Sequence, residues 1–255
     1  MTLAFIGLGL IGGSFARDLR KSGLAKELLG VDTDPAHAAR ALELGIVDRV
    51  VVLDEAAREA DVLLLAVPVN AIETLLPRLL DTAHDGQTVI DLGSTKLRIA
   101  DAVREHPNRE RYVAAHPMAG TEHAGPDAAL EGLFRNKTVL LCDLEWSAPD
   151  ACKTALELFH AVGLKFEFMT AEQHDRHAEE GVADALAGAM IGEAPAASGL
   201  KHRKAIRRDQ LAYRGARSGG DQRRMLDQPD KFRRFAGCDF RDARFHRAHC
   251  VGVAD

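Results

Sequence analysis

The stretch Leu3-Ala4-Phe5-Ile6-Gly7-Leu8-Gly9-Leu10-Ile11-Gly12 decides the fold. Residues 3–8 are apolar apart from one glycine, the pattern of a strand buried on both faces of a parallel sheet. The three glycines follow the spacing Gly-x-Gly-x-x-Gly and open a helical segment over about 11–21, which Gly23 stops. Gly7 suits a tight turn, Gly9 lets the backbone approach a ligand closely, and Gly12 lets helix and strand pack together. The start of such a helix offers free N–H groups and the positive end of a dipole, which together suit a diphosphate. An acid is then expected about twenty residues on, at the end of the second strand. Asp32 stands there, closing Leu28-Leu29-Gly30-Val31. A carboxylate in that place accepts hydrogen bonds from ribose hydroxyls and repels a 2′-phosphate, so the expected cofactor is NAD rather than NADP.

Working outward, the first 170 residues alternate short apolar runs with helical patterns, the mark of a parallel sheet covered by helices. A helix is expected from Pro35 to about residue 44. The segment 61–68 reads as the central strand, closed by Pro68 where no further ladder donor is needed. Further strands are expected at 88–91 and 112–115. Segments 138–142 and 164–168 flank a helix near 149–162 and are expected as edge strands. The fold class is therefore α/β, a Rossmann-type doubly wound and mostly parallel sheet. Ligands of such sheets bind beyond the carboxyl ends of the strands. The cofactor set is accordingly Gly7, Leu8, Gly9, Leu10, Ile11, Gly12 and Asp32, with Val67 and Ser94 at later strand ends.

Composition narrows the function classes. A chain with 46% hydrophobic and 28% charged residues is an ordinary globular protein, and a net charge of −5 gives no general attraction to nucleic acid or an anionic membrane. No apolar run approaches the roughly 18–20 residues that span a bilayer, and the start of the chain has neither a basic region nor a cleavage site of a signal peptide. Cys142, Cys152, Cys238 and Cys250 follow neither a CxxC nor a metal pattern, which fits reduced thiols in the cytoplasm. No metal is expected.

Two strand-end segments carry side chains capable of chemistry: Asp91-Leu92-Gly93-Ser94-Thr95-Lys96 and His116-Pro117-Met118-Ala119-Gly120-Thr121-Glu122. A histidine with an ordinary pKa of about 6.5 can act as a general base at neutral pH. A hydroxyl such as that of Ser94 could fix its tautomer.

Together with Gly-Leu-Gly-Leu-Ile-Gly-Gly-Ser (7–14) and His-Asp-Arg-His (174–177), these segments resemble the prephenate dehydrogenase family over residues 1 to about 177. The resemblance implies NAD(P)-dependent oxidative decarboxylation of prephenate to 4-hydroxyphenylpyruvate in tyrosine biosynthesis, with arogenate as the substrate of close relatives. It implies that His116 accepts the proton of the ring hydroxyl and that Ser94 hydrogen-bonds His116 near nicotinamide and substrate. It further implies that Thr121 lines the substrate pocket and that Asp175 supports the network on the substrate side.

The same resemblance implies a helix bearing Ser-His-x-x-His after residue 177, then an all-helical domain that dimerises and supplies a substrate-binding arginine. Here the two histidine positions fall on Ala183 and Leu186, which bind neither carboxylate nor hydroxyl. Residues 201–250 hold 15 of the chain's 33 Lys and Arg but only three branched aliphatics, Ile206, Leu211 and Leu226, too few for a helical core. The expected division is thus a dinucleotide-binding domain at 1–170 and a truncated or frame-shifted remnant of the helical domain at 171–255. A basic appendage for nucleic acid is the competing reading of the tail. It lacks aromatic stacking motifs and any recognisable module.

Overall fold

The computed structural model describes residues 1–179, with side chains through Arg176. The basic segment and the positions of Ala183 and Leu186 lie outside the described residues. Strands β1 (Thr2–Ile6), β2 (Glu27–Val31), β3 (Arg49–Val50), β4 (Val62–Leu65), β5 (Thr88–Asp91), β6 (Tyr112–Pro117), β7 (Thr138–Cys142) and β8 (Lys165–Met169) form one sheet, ordered β3-β2-β1-β4-β5-β6-β7-β8. All neighbours are parallel except β6 and β7, which run antiparallel with Ala114 opposite Cys142. The helices are α1 (Leu10–Ser22), α2 (Pro35–Glu43), α3 (Leu53–Glu59), α4 (Val69–Asp81), α5 (Leu97–Ala102), α6 (Pro149–Ala161) and α7 (Ala171–Glu179).

The two-residue period of a strand divides the core into two layers. Leu3 and Phe5 of β1, with Val62 and Leu64 of β4, join one cluster; Ala4 and Ile6, with Leu63 and Leu65, join the other. The first layer is closed by Phe15, Ala16 and Leu19 of α1 and by Leu158 and Phe159 of α6. Phe15 centres it, with its ring 4.0 Å from that of Phe134 and 5.8 Å from that of Phe159. The second layer is closed by Ala56 of α3, Ile72, Leu76 and Leu80 of α4, and Ile99 of α5. Helices on both faces of a mostly parallel sheet make the fold doubly wound, as its alternating pattern predicts.

Three details differ from the sequence reading. The first strand ends at Ile6 rather than Leu8, because Gly7 turns the chain with φ at +97°. β3 is an unforeseen strand of two exposed residues, held by Leu29 opposite Arg49 and by the Val51 N–H on the Gly30 carbonyl (2.9 Å). Segment 138–142 is not an edge: β7 lies between β6 and β8, and only β8 closes that side.

The strand order reverses between β1 and β4, since the chain proceeds outward through β2 on one side and through β5 on the other. That switch point lies beside the glycine turn, where open α/β sheets bind their ligands.

Candidate active site

The glycine turn is built by its neighbours. The Gly7 N–H reaches the Val31 carbonyl at 2.8 Å, and the Leu8 N–H reaches Asp32 Oδ2 at 2.9 Å. Asp32 Oδ1 also accepts the Asp34 N–H at 3.0 Å, so the acid read as a ribose acceptor braces the turn as well. A carboxylate offers about four lone-pair directions, which leaves acceptor capacity for a further partner. A Cβ on Gly7 would stand 2.5 Å from the Ala66 carbonyl oxygen and 2.9 Å from Val67 Cγ1; one on Gly12 would stand 2.0 Å from the Gly7 carbonyl oxygen. Those two glycines are required by the protein's own packing.

Gly9 differs from both. Its backbone is ordinary extended chain (φ −76°, ψ −159°), and the nearest atom to an added Cβ is 3.9 Å away. Neither conformation nor packing demands glycine there. Gly9 is also the N-cap of α1, whose first turn carries no side-chain cap and no acid. Leu8 and Leu10 are buried and Ile11 is half-buried, so they anchor the turn through their side chains.

The second group forms around a lysine with no solvent exposure. Lys96 ion-pairs with Asp91 at the end of β5 and donates to the Ala115 carbonyl at 2.8 Å. Asp91 also accepts the Tyr112 hydroxyl (2.6 Å) and the Gly93 N–H (2.8 Å). Burial, then the negative charge of Asp91, pushes the Tyr112 phenol well above its usual pKa, so it remains a donor. This closed network ties β5, its following loop and β6 together next to the strand end that carries His116.

His116 faces a second histidine. Its Nδ1 lies 2.8 Å from Nε2 of His174, and Nδ1 of His174 lies 2.7 Å from Oδ1 of Asp175. Asp175 in turn accepts the N–H groups of Lys96 (2.8 Å) and Leu97 (2.9 Å), which open α5 and have no cap of their own. Burial first, then the Lys96 charge, lowers the pKa of His116 to about 3. Burial likewise lowers that of His174, against the pull of Asp175. Burial pushes Asp175 up, but its N–H donors outweigh it and hold the carboxyl below its usual range.

These positions correct one expectation and add detail to two others. Ser94 lies exposed in the β5–α5 loop and makes no hydrogen bond to His116; His174 takes that position. Asp175, expected in the network on the substrate side, caps α5 and engages His174. Thr121 is half-buried, its hydroxyl accepting the His123 N–H at 3.2 Å. Lys96, Asp91, Tyr112 and His174 were not singled out from the sequence. Asp91, Lys96 and His174 carried a signal, as members of the quoted segments 91–96 and 174–177; Tyr112 carried none. Among the described residues no cluster of His, Cys, Asp and Glu could hold a metal, and no helix is long and apolar enough to cross a membrane.

The buried histidine has a consequence for stability. The unfolded chain takes up a proton at His116 near its ordinary pKa of about 6.5, whereas the folded chain resists protonation until about 3. Stability is therefore complete above the higher value and is lost progressively as pH falls below it, because the unfolded state then binds more protons. Melting curves recorded from neutral pH to about pH 5 should show a steeper fall for the parent chain than for His116→Gln. Parallel falls would refute this account of His116.

A glycine turn at the switch point of a doubly wound sheet defines a nucleotide-binding α/β domain. More particularly, the chain belongs to the prephenate dehydrogenase family: residues 15–168 match the family's model, described as prephenate dehydrogenase, nucleotide-binding domain. Prephenate dehydrogenase of Bacillus subtilis is 33% identical over 177 residues, 68% of this chain and 48% of that protein. The chain thus spans about half the length of that relative. The crystal structure of the Aquifex aeolicus prephenate dehydrogenase with hydroxyphenyl propionate and NAD+ superimposes with a TM-score of 0.65 at 26% identity, covering 91% of this chain and 83% of that one. Arogenate dehydrogenase of Synechocystis superimposes with a TM-score of 0.64 at 26% identity, covering 94% and 80%.

Proposed function

We propose that this chain catalyses NAD-dependent oxidative decarboxylation of prephenate to 4-hydroxyphenylpyruvate, a step of tyrosine biosynthesis, in the cytoplasm. The observation that carries this reading is the placement of His116 and the glycine turn on one edge of the sheet. β1, β4, β5 and β6 are parallel, so Gly7–Gly12, which follows β1, and His116, the penultimate residue of β6, both stand at carboxyl ends. Three strand spacings of about 4.8 Å separate their strands by about 15 Å, a span for a dinucleotide lying across β4 and β5.

The residues present fit NAD. Gly9 leaves room for the diphosphate at the start of α1, Asp32 would accept the ribose hydroxyls, and Val67 and Ser94 stand at the intervening strand ends. When bound, NAD supplies the nicotinamide carbon that takes up the hydride from the ring carbinol of prephenate. His116 accepts the hydroxyl proton as the carbonyl forms. Loss of CO2 sends the electrons of its C–C bond into the ring. His116 then returns its proton to the phenolate oxygen as the ring aromatises. Thr121, on the loop after β6, would border the substrate. Residues 1–170 form the cofactor half in this reading, and 171–255 stand where the family resemblance implies a helical substrate and dimerisation domain. The substrate is a small molecule; neither nucleic acid nor a membrane enters the reading.

Arogenate is the second reading, favoured by the likeness to the Synechocystis enzyme. NADH formation followed with prephenate and then arogenate, beside a direct NAD titration, tests both. Preferential turnover of prephenate is expected. Binding of NAD without turnover of either substrate would overturn the catalytic reading, and absence of NAD binding by folded chain would overturn all of it.

Gly9→Val separates ligand from packing. Its melting temperature should stay within about 2 °C of the parent, since the nearest protein atom to the added Cβ is 3.9 Å away. NAD affinity should fall at least about tenfold, measured by titration. Unchanged affinity would remove Gly9 from the cofactor site.

A further inference from the structure

His116 has two ring nitrogens, and the structure distinguishes them. Nδ1 is engaged by Nε2 of His174, and Nδ1 of His174 is engaged by Asp175. An ionised carboxylate can only accept hydrogen bonds. Asp175 stays ionised because the Lys96 and Leu97 N–H groups, besides His174, point at it. Nδ1 of His174 must therefore carry a proton and donate it. A neutral imidazole has a single N–H, so Nε2 of His174 is an acceptor. It follows that Nδ1 of His116 is the donor between the two rings, which leaves Nε2 of His116 with a free lone pair. That nitrogen has no hydrogen-bond partner among the described residues.

Burial removes the main competing pattern, in which His174 is doubly protonated and donates to His116. His174 is only 3% exposed, and the positive charge of Lys96 adds to the cost of charging it. The two rings lie 5.1 Å apart, centroid to centroid, and are tilted by 54°, so their contact is through the facing nitrogens rather than by stacking.

We propose that His174, oriented by Asp175, is a positioning residue that holds His116 in its Nδ1–H tautomer and so makes Nε2 the atom that takes the substrate's proton. This rests on the reading of His116 as the general base. The proton passes from the substrate hydroxyl to Nε2 of His116 and gives an imidazolium. Its positive charge then lies one hydrogen bond from His174 and two from Asp175. The proton afterwards returns to the phenolate oxygen, and neither His174 nor Asp175 changes its proton count. Orientation plus charge stabilisation is the part a carboxylate plays behind a catalytic histidine; here a second imidazole extends its reach. The unit also crosses the expected boundary at residue 170. α7 begins at Ala171, beyond the family match that ends at residue 168, yet it supplies the partner of a strand-end histidine in the nucleotide-binding domain.

Nitrogen-15 spectroscopy of the full chain labelled at histidine reads the tautomers directly, without turnover. The His116 and His174 signals are assigned by their loss in His116→Gln and His174→Gln. In the parent chain both rings should be neutral near pH 7, protonated at Nδ1 and bare at Nε2. In His174→Phe the His116 proton should shift at least partly to Nε2, whereas His174→Gln, whose amide oxygen accepts, should keep it on Nδ1. A His116 protonated at Nε2 in the parent, or an unaltered His116 in folded His174→Phe, would overturn the proposal. Should His174→Phe not fold, the parent spectrum decides alone. In the assay, His174→Phe should lower kcat on the order of 100-fold with NAD affinity unchanged, and His174→Gln should recover much of it. A parent chain with the expected tautomers but no turnover would refute the dehydrogenase reading and support the tautomer assignment; an active parent with the opposite tautomer would refute the positioning role alone.

Discussion

His116→Ala is expected to abolish NADH formation from prephenate while leaving NAD affinity within about twofold of the parent. General-base catalysis contributes on the order of 10²–10⁴ in rate. Burial and the Lys96 charge keep His116 neutral across the working range. The substitution lies at the end of β6, three strands from the glycine turn, so the diphosphate and ribose contacts should remain. The fold should survive as well, because His116 is uncharged in the folded chain near neutral pH and its removal leaves no buried charge unpaired. The measurement is kcat with prephenate beside a fluorescence titration with NAD. Retained turnover would exclude His116 as the base, and joint loss of turnover and NAD binding would point instead to a damaged fold.

Lys96→Met is expected to produce the largest loss of stability of any single change at the site. Lys96 and Asp91 are both fully buried, and removing one member of a buried pair leaves the other charge uncompensated, at a cost of about 3–5 kcal/mol. The Ala115 carbonyl would lose its donor too. Methionine has nearly the length of lysine and leaves little void, so the loss would report charge rather than cavity. Replacing both partners, as in Lys96→Met with Asp91→Leu, should cost less than Lys96→Met alone, although the Tyr112 hydroxyl then lacks its acceptor. Urea unfolding of the two variants checks this ordering. A Lys96→Met chain within about 1 kcal/mol of the parent would show that the pair contributes little.

Much of the fold was legible because its signals are local. Residues 3–12 carry strand, turn and helix start in one unbroken stretch, and Asp32 falls where a second parallel strand must end. The strands at 88–91 and 112–115 announce themselves by short apolar runs. β3 could not be read, since Arg49 and Val50 are exposed and pair only because β2 offers them an open edge. The place of β7 could not be read either: a run such as Thr138–Cys142 looks alike whether it closes a sheet or lies inside one.

The sequence by itself determined the glycine turn between β1 and α1 and the place of Asp32 after β2, because each concerns a residue and its near neighbours: glycines at fixed spacing and an acid at a strand end. It also singled out His116 and Asp175 as chemically able groups. Only the tertiary structure decided what they touch. Ser94, the partner expected from the neighbouring strand end, lies exposed, while His174 arrives from α7, 58 residues along the chain, to meet Nδ1 of His116. Lys96 is buried by folding between Asp91 and the Ala115 carbonyl. Hydrogen-bond partners and burial depend on how distant segments are brought together, and no spacing along the chain encodes that.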